Sequence, residues 1–525
     1  MKKHACEIKL LPHGRKIVTG EGEKLMEVLT ANSIFLRSDC GGKGVCKKCL
    51  VELADENGDF HQVPSCTCRV TGDMTVRVPD SSLMSAHIID KAPTELPDFF
   101  TDHFKPGKTR PRTREYGTAV DLGTTTIAVY LCDLASGTVI SSVAVKNPQA
   151  LYGDDVMSRI GAIGGNKDKL RGLQRLAVTA VKWGVDRLLD RHGQQPSDQK
   201  KMVVAGNPTM IHILLGFDPA PIGTAPYTPA FTGAKQVLAA EIGMSLPNLT
   251  VNTLPLIAGF IGGDTLAAMI AVDLENEPPG TLLIDLGTNG ELVLKGRDGF
   301  YATSCATGPA FEGAAISCGM QAIPGAINAV RLHSHTELPE YTVITKKGKQ
   351  TEPKGICGSG IISAIAAFNR TGLIEKNGRI ADLRDAPAVK TMDGTNRIIL
   401  DSDRKQIAIS QKDIRAVQLG KGALITGIEF LLRAAGMESP RKIIIAGAFG
   451  SFLRKDDLLT LGMIPAISPE RIIMAGNAAG TGAIMALCDD YYFNRTKELA
   501  RRIRIIDLAT DVSFQSSFVR QLHFP

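Results

Sequence analysis

Two kinds of apolar pattern run along this chain. At the N-terminus, ACEIKLLPHGRKIVTG alternates apolar and polar residues on both sides of a Pro-His-Gly turn, which predicts two half-buried strands. GEKLMEVLTANSI places Leu25, Val28 and Leu29 at helical spacing and predicts a helix. CLVEL (49–53) and MTVRVP (74–79) read as further strands. Periodicity then fades over 80–115, where DKAPTELPDFF and KPGKTRPRTRE are rich in proline and charge. This predicts a linker with one short helix, serving as a spacer or as a tether that lets the small domain move between two docking positions.

From residue 116 the pattern changes to long apolar runs. YGTAVDLGTTTIAVYLCD (116–133) and TLLIDLGTNGELVLKG (281–296) share one design: an apolar run, Asp, Leu, Gly-Thr, a polar turn, and a second apolar run. An echo at this separation predicts a duplicated domain, since solenoid repeats are shorter. GLQRLAVTAVKWGVDRLLDRHG (172–193) predicts a long helix, and RKIIIAGAFGSF (441–452) predicts a buried strand opening onto a glycine site. The expected organisation is a small domain over 1–79, a linker over 80–115, and two lobes over 116–280 and 281–525.

Composition narrows the class. The chain has 525 residues, 44% hydrophobic and 22% charged, which describes a multidomain globular protein. A net charge of +6, with no basic stripe and interleaved aromatics, gives no expectation of a nucleic-acid partner. The most apolar helix-like stretch, GALITGIEFLLRAAG, carries Glu429 and Arg433, so no membrane span is expected. MKKHACEIKLLPHG lacks the apolar core of a secretory signal, and a cytoplasmic location is expected. The 11 cysteines form no regular disulfide framework. In a reducing compartment the clustered ones are metal ligands and the scattered ones are buried small residues.

The clustered set is Cys40, Cys46, Cys49 and then Cys66 or Cys68; counted to Cys66 the spacing is C-x5-C-x2-C-x16-C. Three thiolates on a glycine-rich loop, with a fourth arriving later, suit a [2Fe–2S] cluster. Gly41, Gly42 and Gly44 let the backbone fold around the metal. A zinc site would favour two paired C-x2-C knuckles. Cys305, Cys318 and Cys357 match no cluster spacing and are expected to be packing residues.

The two Asp-Gly-Thr turns point to phosphate chemistry. Such a turn sets N–H groups and hydroxyls around a phosphate, and Asp121 or Asp285 then stands where Mg²⁺ or its waters are held. Asp264, in GFIGGDTLAAM, either orients an attacking water, holds Mg²⁺ or caps a helix. No Rossmann or P-loop fingerprint is present.

Three resemblances follow. The N-terminal order of hairpin, helix, cluster loop and strands resembles the β-grasp ferredoxins, and the C-x5-C gap is similar to the vertebrate type. The paired Asp turns and the later glycine run resemble the actin-like, ribonuclease H-like ATPase fold of acetate and sugar kinases, Hsp70 and actin (ASKHA). The implied fold class is α/β and α+β multidomain, a β-grasp domain joined to a duplicated ATPase domain. That resemblance implies that Gly123, Thr124, Thr125 and Thr126, with Gly287, Thr288, Asn289, Gly290 and Glu291, hold the phosphates of ATP. It also implies that Gly447, Ala448, Phe449 and Gly450 pack on the adenosine, and it leaves Asp121, Asp264, Asp285 and Glu291 as the candidate catalytic acids. The whole combination, D-L-G-T-T-T, A-G-N-P-T-M, D-L-G-T-N-G-E, G-P-A-F-E-G, C-G-S-G and G-A-F-G behind a ferredoxin domain, resembles the reductive activators of corrinoid proteins. Membership implies ATP-coupled, one-electron reduction of Co(II) to Co(I) on a corrinoid protein of a methyltransferase or acetyl-CoA synthesis system, fed by a low-potential electron donor. It also implies Cys66 as the fourth ligand, three residues before Arg69. Longer members form a homodimer through an extra middle domain; residues 80–115 are too few for one, which leaves dimerisation open. Two other readings of the fold are a redox-regulated small-molecule kinase and an ATP-dependent donor to a non-corrinoid enzyme.

Overall fold

Alternation along Ala5–Leu11 turns Cys6, Ile8 and Leu10 inward. In the computed structural model this strand lies second in a five-stranded sheet. The spatial order is Arg15–Gly20, Ala5–Leu11, Met74–Arg77, Leu50–Ala54, Phe60–Pro64. Ala5–Leu11 runs antiparallel to Arg15–Gly20 and parallel to Met74–Arg77, and helix Leu25–Ala31 contributes Leu25, Met26, Val28 and Leu29 to the core of the same domain. This is the β-grasp arrangement. Strand Phe60–Pro64 has no apolar alternation to announce it; it exists because Leu50–Ala54 pairs with it along its whole length. The described residues are 4–12, 14–37, 44–45, 47–79, 81–83, 96–103, 115–246, 248–287, 289–313, 316–345, 351–383, 385–392, 394–401, 407–447 and 453–525.

The described parts of the linker are packed. Ser82 accepts a hydrogen bond at its carbonyl from the Arg37 N–H at 2.9 Å, and Leu83 bridges to Leu36. The short helix Asp98–His103 buries Phe100 against the Tyr492 ring, with centroids 5.4 Å apart.

Two six-stranded sheets follow, and their cores repeat one topology. In the first, Thr138–Lys146, Thr126–Asp133 and Tyr116–Leu122 form an antiparallel meander, and Tyr116–Leu122 is then joined in parallel by Gln199–Gly206, which Thr250–Thr253 joins in turn. In the second, Phe300–Cys305, Gly290–Lys295 and Thr281–Leu286 form the meander, followed in parallel by Lys442–Ala446 and Ile472–Gly476. The first strand of each meander is buried on both sides, which is why YGTAVDL and TLLIDL read as continuous apolar runs.

Long helices cover the sheets. Lys167–Arg191 starts five residues before the apolar stretch that predicts it, because the Asn166 side chain accepts from the N–H groups of Asp168 and Lys169. Gln411–Ala434 begins with a Ser410/Asp413 capping box. On it, the buried Lys421 ammonium donates to the Gln521 carbonyl at 2.7 Å and the His523 carbonyl at 2.5 Å, tying the C-terminal residues to this helix. Burial pulls its pKa down to about 8, against the opposing pull of Glu429.

By compactness the chain divides into two units. One holds residues 1–264 and 483–497, and the other holds 265–482 and 498–525. Among the described residues no helix is long and apolar enough to cross a membrane.

Candidate functional site

The cluster-bearing end of the small domain is described at two of the four expected ligands. Cys40 and Cys46 lie outside the described residues. Cys49 and Cys66 are both buried, and neither is in a disulfide. They are brought together by Ser65, whose N–H and hydroxyl both donate to the Cys49 carbonyl, at 3.0 and 2.8 Å. Gly44 has φ +77°, and a Cβ there would stand 2.9 Å from Thr67 Cγ2, so glycine is favoured at this position beside the Cys66 turn. These residues fit a [2Fe–2S] cluster: two thiols are screened from water, and Gly44 packs on Thr67, the residue after Cys66. Cys68 is half-exposed, its thiol directed at the Arg69 carbonyl 3.7 Å away, and desolvation raises its pKa. The burial difference favours Cys66 over Cys68. The expected result is that Cys66→Ser loses the cluster's visible absorption and iron, whereas Cys68→Ser keeps both. The reverse pattern, read by anaerobic spectroscopy and iron analysis, would reassign the ligand.

The first Asp-Gly-Thr turn sits at the carboxyl end of Tyr116–Leu122. In register, Asp121 lies beside Ala205 and Leu122 beside Gly206 on the neighbouring parallel strand. Ligands of open α/β sheets sit beyond such carboxyl ends. Gly206 is confined there: a Cβ would lie 2.9 Å from the Leu122 carbonyl oxygen. The next residue, Asn207, caps helix Pro208–Leu215 through Met210 N–H and donates to Thr124 Oγ1 at 2.9 Å. Asp264 arrives at the same corner. It lies in the first turn of helix Gly263–Ala271, and the preceding Gly262 packs so that a Cβ would meet the Gly206 carbonyl at 2.5 Å and Asn207 Cα at 2.7 Å. Asp121, Thr124 and Asp264 are thus grouped at one strand-end corner.

The turn is held from behind by a buried polar network. Asn147 Nδ2 donates to the Gly123 carbonyl at 2.9 Å, and the Asn147 N–H donates to the Thr125 carbonyl at 2.8 Å. Arg159 is fully buried; its guanidinium donates to the Thr124 carbonyl at 2.7 Å, the Gly153 carbonyl at 2.9 Å and Gln149 Oε1 at 3.1 Å. A buried cation costs several kcal/mol unless such acceptors surround it.

The second turn repeats the arrangement with different residues. Asp285 stands directly across the hairpin from Glu291, which places both carboxylates on one face, and beside Ala446 on the parallel strand. Gly447 follows at the position matching Gly206, with φ +103°; a Cβ there would lie 2.3 Å from the Leu286 carbonyl oxygen and 3.0 Å from Asp285 Oδ1. A side chain at 447 would therefore collide with the Leu286 carbonyl and crowd the Asp285 carboxylate, and only glycine fits there. The turn closes with the Gly287 N–H donating to the Asn289 carbonyl at 3.0 Å. Thr288, Ala448, Phe449 and Gly450 lie outside the described residues. Burial first, and the Glu291 charge second, push the Cys305 thiol far up; Cys357 is also buried and Cys318 half-buried.

Sequence reading did not single out Asn147, Gln149 or Arg159; Asn207 stood only within the A-G-N-P-T-M motif, without a role of its own. For Arg159 a signal existed: helix Val156–Ile163 buries Val156, Ile160 and Ile163, and an arginine interrupts that apolar stripe. The equivalence of VVAGN and IIIAG was hidden because the insertions separating each from its turn differ in length.

Three domain families match the chain. Residues 8–71 match the 2Fe-2S iron-sulfur cluster binding domain, 116–277 the RACo middle region, and 280–525 the C-terminal domain of RACo, the ASKHA domain. The corrinoid activation enzyme RamQ of Eubacterium limosum is 30% identical, with 95% of each chain covered. The Co(II) methylated amine-specific corrinoid protein reductase of Methanosarcina barkeri is 27% identical over 78% of this chain and 77% of its own. Among solved structures, a reductive activator for corrinoid, iron-sulfur protein superposes with a TM-score of 0.72 at 28% identity, covering 99% of this chain and 98% of that one.

Proposed function

The chain belongs to the family of reductive activators of corrinoid proteins, and on that premise we propose that it returns a corrinoid protein's Co(II) centre to Co(I) in a step driven by ATP. The observation that carries this reading is the union, in one chain, of a buried thiol pair fitted to an iron-sulfur cluster and two matching Asp-Gly strand-end corners. When bound, a plant-type [2Fe–2S] cluster supplies single electrons near about −400 mV. For a one-electron step each ~59 mV of shortfall costs a factor of ten in yield. ATP offsets such a shortfall only if its binding distinguishes two states of the complex.

The chain's own residues have the following parts. Thr124, Thr125 and Thr126, with Thr288, Asn289 and Gly290, cradle phosphates; Asp121 and Asp285 hold Mg²⁺ or its waters. Glu291, directly across the hairpin from Asp285, would share that cation, which relieves the repulsion of two facing carboxylates. Asp264, at the positive end of its helix, orients the attacking water. Gly447 to Gly450 take the adenosine. The setting is the reducing cytoplasm, with a low-potential donor upstream.

The test mixes the anaerobically reduced protein with a Co(II) corrinoid protein and follows the Co(I) absorbance. Co(I) is expected to accumulate with Mg-ATP and to stay several-fold lower without it. Equal yields would sink the coupling.

A further inference from the structure

The small domain is seated on the first lobe, and the seat is the same segment that holds the first phosphate turn. Phe35, from the small domain, is buried in the apolar core of the lobe and meets Trp183 edge-on, with ring centroids 5.8 Å apart. Leu151, from the lobe, packs in return on the core of the small domain. Tyr152 Oη donates to Glu27 Oε1 at 3.2 Å, and burial first, with that carboxylate second, raises the tyrosine to about 12, so it remains a donor. A small cavity between the two is lined by Thr30, Leu36, Lys146, Pro148 and Ala150.

The other side of this segment faces the turn. Asn147 holds the carbonyls of Gly123 and Thr125, and Gln149 accepts from Arg159, which holds the carbonyl of Thr124. Six consecutive residues, 147–152, therefore fasten two carbonyls of the turn directly and a third through Arg159 at one end, and the small domain at the other. A turn whose carbonyls are all held cannot rearrange without breaking those bonds, so fixing the segment also fixes the cradle. Pre-ordering a site raises its affinity by removing the cost of ordering it on binding.

From these contacts we infer that Asn147–Tyr152 couples nucleotide at the first turn to docking of the ferredoxin domain: docking strengthens nucleotide binding, and nucleotide strengthens docking by the same factor. The reciprocity is a thermodynamic requirement. The coupling rests on the proposed phosphate role of that turn and gives it a route to the electron-carrying domain.

The chain contains a single tryptophan, Trp183, and it stands at the seat, so its emission reports docking. The experiment titrates the full-length protein with a non-hydrolysable ATP analogue and Mg²⁺, reading binding by calorimetry and docking by Trp183 emission. The same titration is run on Phe35→Ala and, as the milder change, on Tyr152→Phe. Neither residue belongs to the core of the small domain, and the cluster absorption verifies that this domain is intact. The analogue is expected to shift Trp183 emission in the unmodified protein. Phe35→Ala is expected to weaken analogue binding by ~5-fold or more, the low end of ordinary site-to-site coupling. Tyr152→Phe is expected to weaken it less. Analogue binding with unchanged emission and equal affinity in all three proteins would overturn the coupling alone. Absence of any binding would overturn the nucleotide reading, and the coupling with it.

Discussion

Asp121→Asn and Asp285→Asn are each expected to lower ATP-dependent Co(I) formation by roughly 10²–10³-fold while leaving the cluster spectrum unchanged. The magnitude is that of removing one fixed charge partner from a reacting phosphate site. Asn keeps the shape of Asp, so strand pairing beside Ala205 or Ala446 survives. Only the charge that would hold Mg²⁺ is lost. ATP turnover and Co(I) absorbance are measured on the same preparation. A variant that keeps more than a third of the unmodified rate in both assays would remove that aspartate from the site.

The second large effect is expected at Arg159. Arg159→Met leaves the carbonyls of Thr124 and Gly153 without their charged donor inside a closed interior. Hydrogen bonds to a charged group are worth about 1.5–3 kcal/mol each, so the loss reaches about 3 kcal/mol or more. The first lobe is expected to melt several degrees lower, followed by calorimetry. Arg159→Lys separates folding from function. Lysine keeps the charge but presents a point in place of a planar fork, so it cannot serve all the acceptors at once. That variant is expected to fold, to bind ATP at least tenfold more weakly, and to keep its cluster. A Lys variant with unaltered ATP affinity would reduce Arg159 to a core brace with no bearing on the turn.

Much of the architecture was legible in the residues. The strands Ala5–Leu11 and Tyr116–Leu122 stand where alternation and apolar runs placed them. The echo between Asp121 and Asp285 marked two sheets of one topology, because the sharp Asp-Gly turn is a local backbone requirement and therefore a local signature. Strand Phe60–Pro64 was not legible, since only its neighbour's unpaired edge makes it a strand. Nor was the match of Gly206 to Gly447, which depends on a carbonyl from a different strand, Leu122 or Leu286, closing in on each.

By itself the sequence determined the chemistry carried by this chain: thiols at cluster spacing, and carboxylates and hydroxyls on Asp-Gly-Thr turns. Spacing along the chain is what a local loop needs, so local loops are written in it. The tertiary structure alone decided what stands behind those loops. Asn147, Gln149 and Arg159 reach the first turn from 22 or more residues away, and Phe35 reaches Trp183 across 148. Burial selects such partners after the chain has folded. An unpaired guanidinium or an exposed phenyl ring is costly at any sequence separation, and distance along the chain leaves no trace of which group will relieve it.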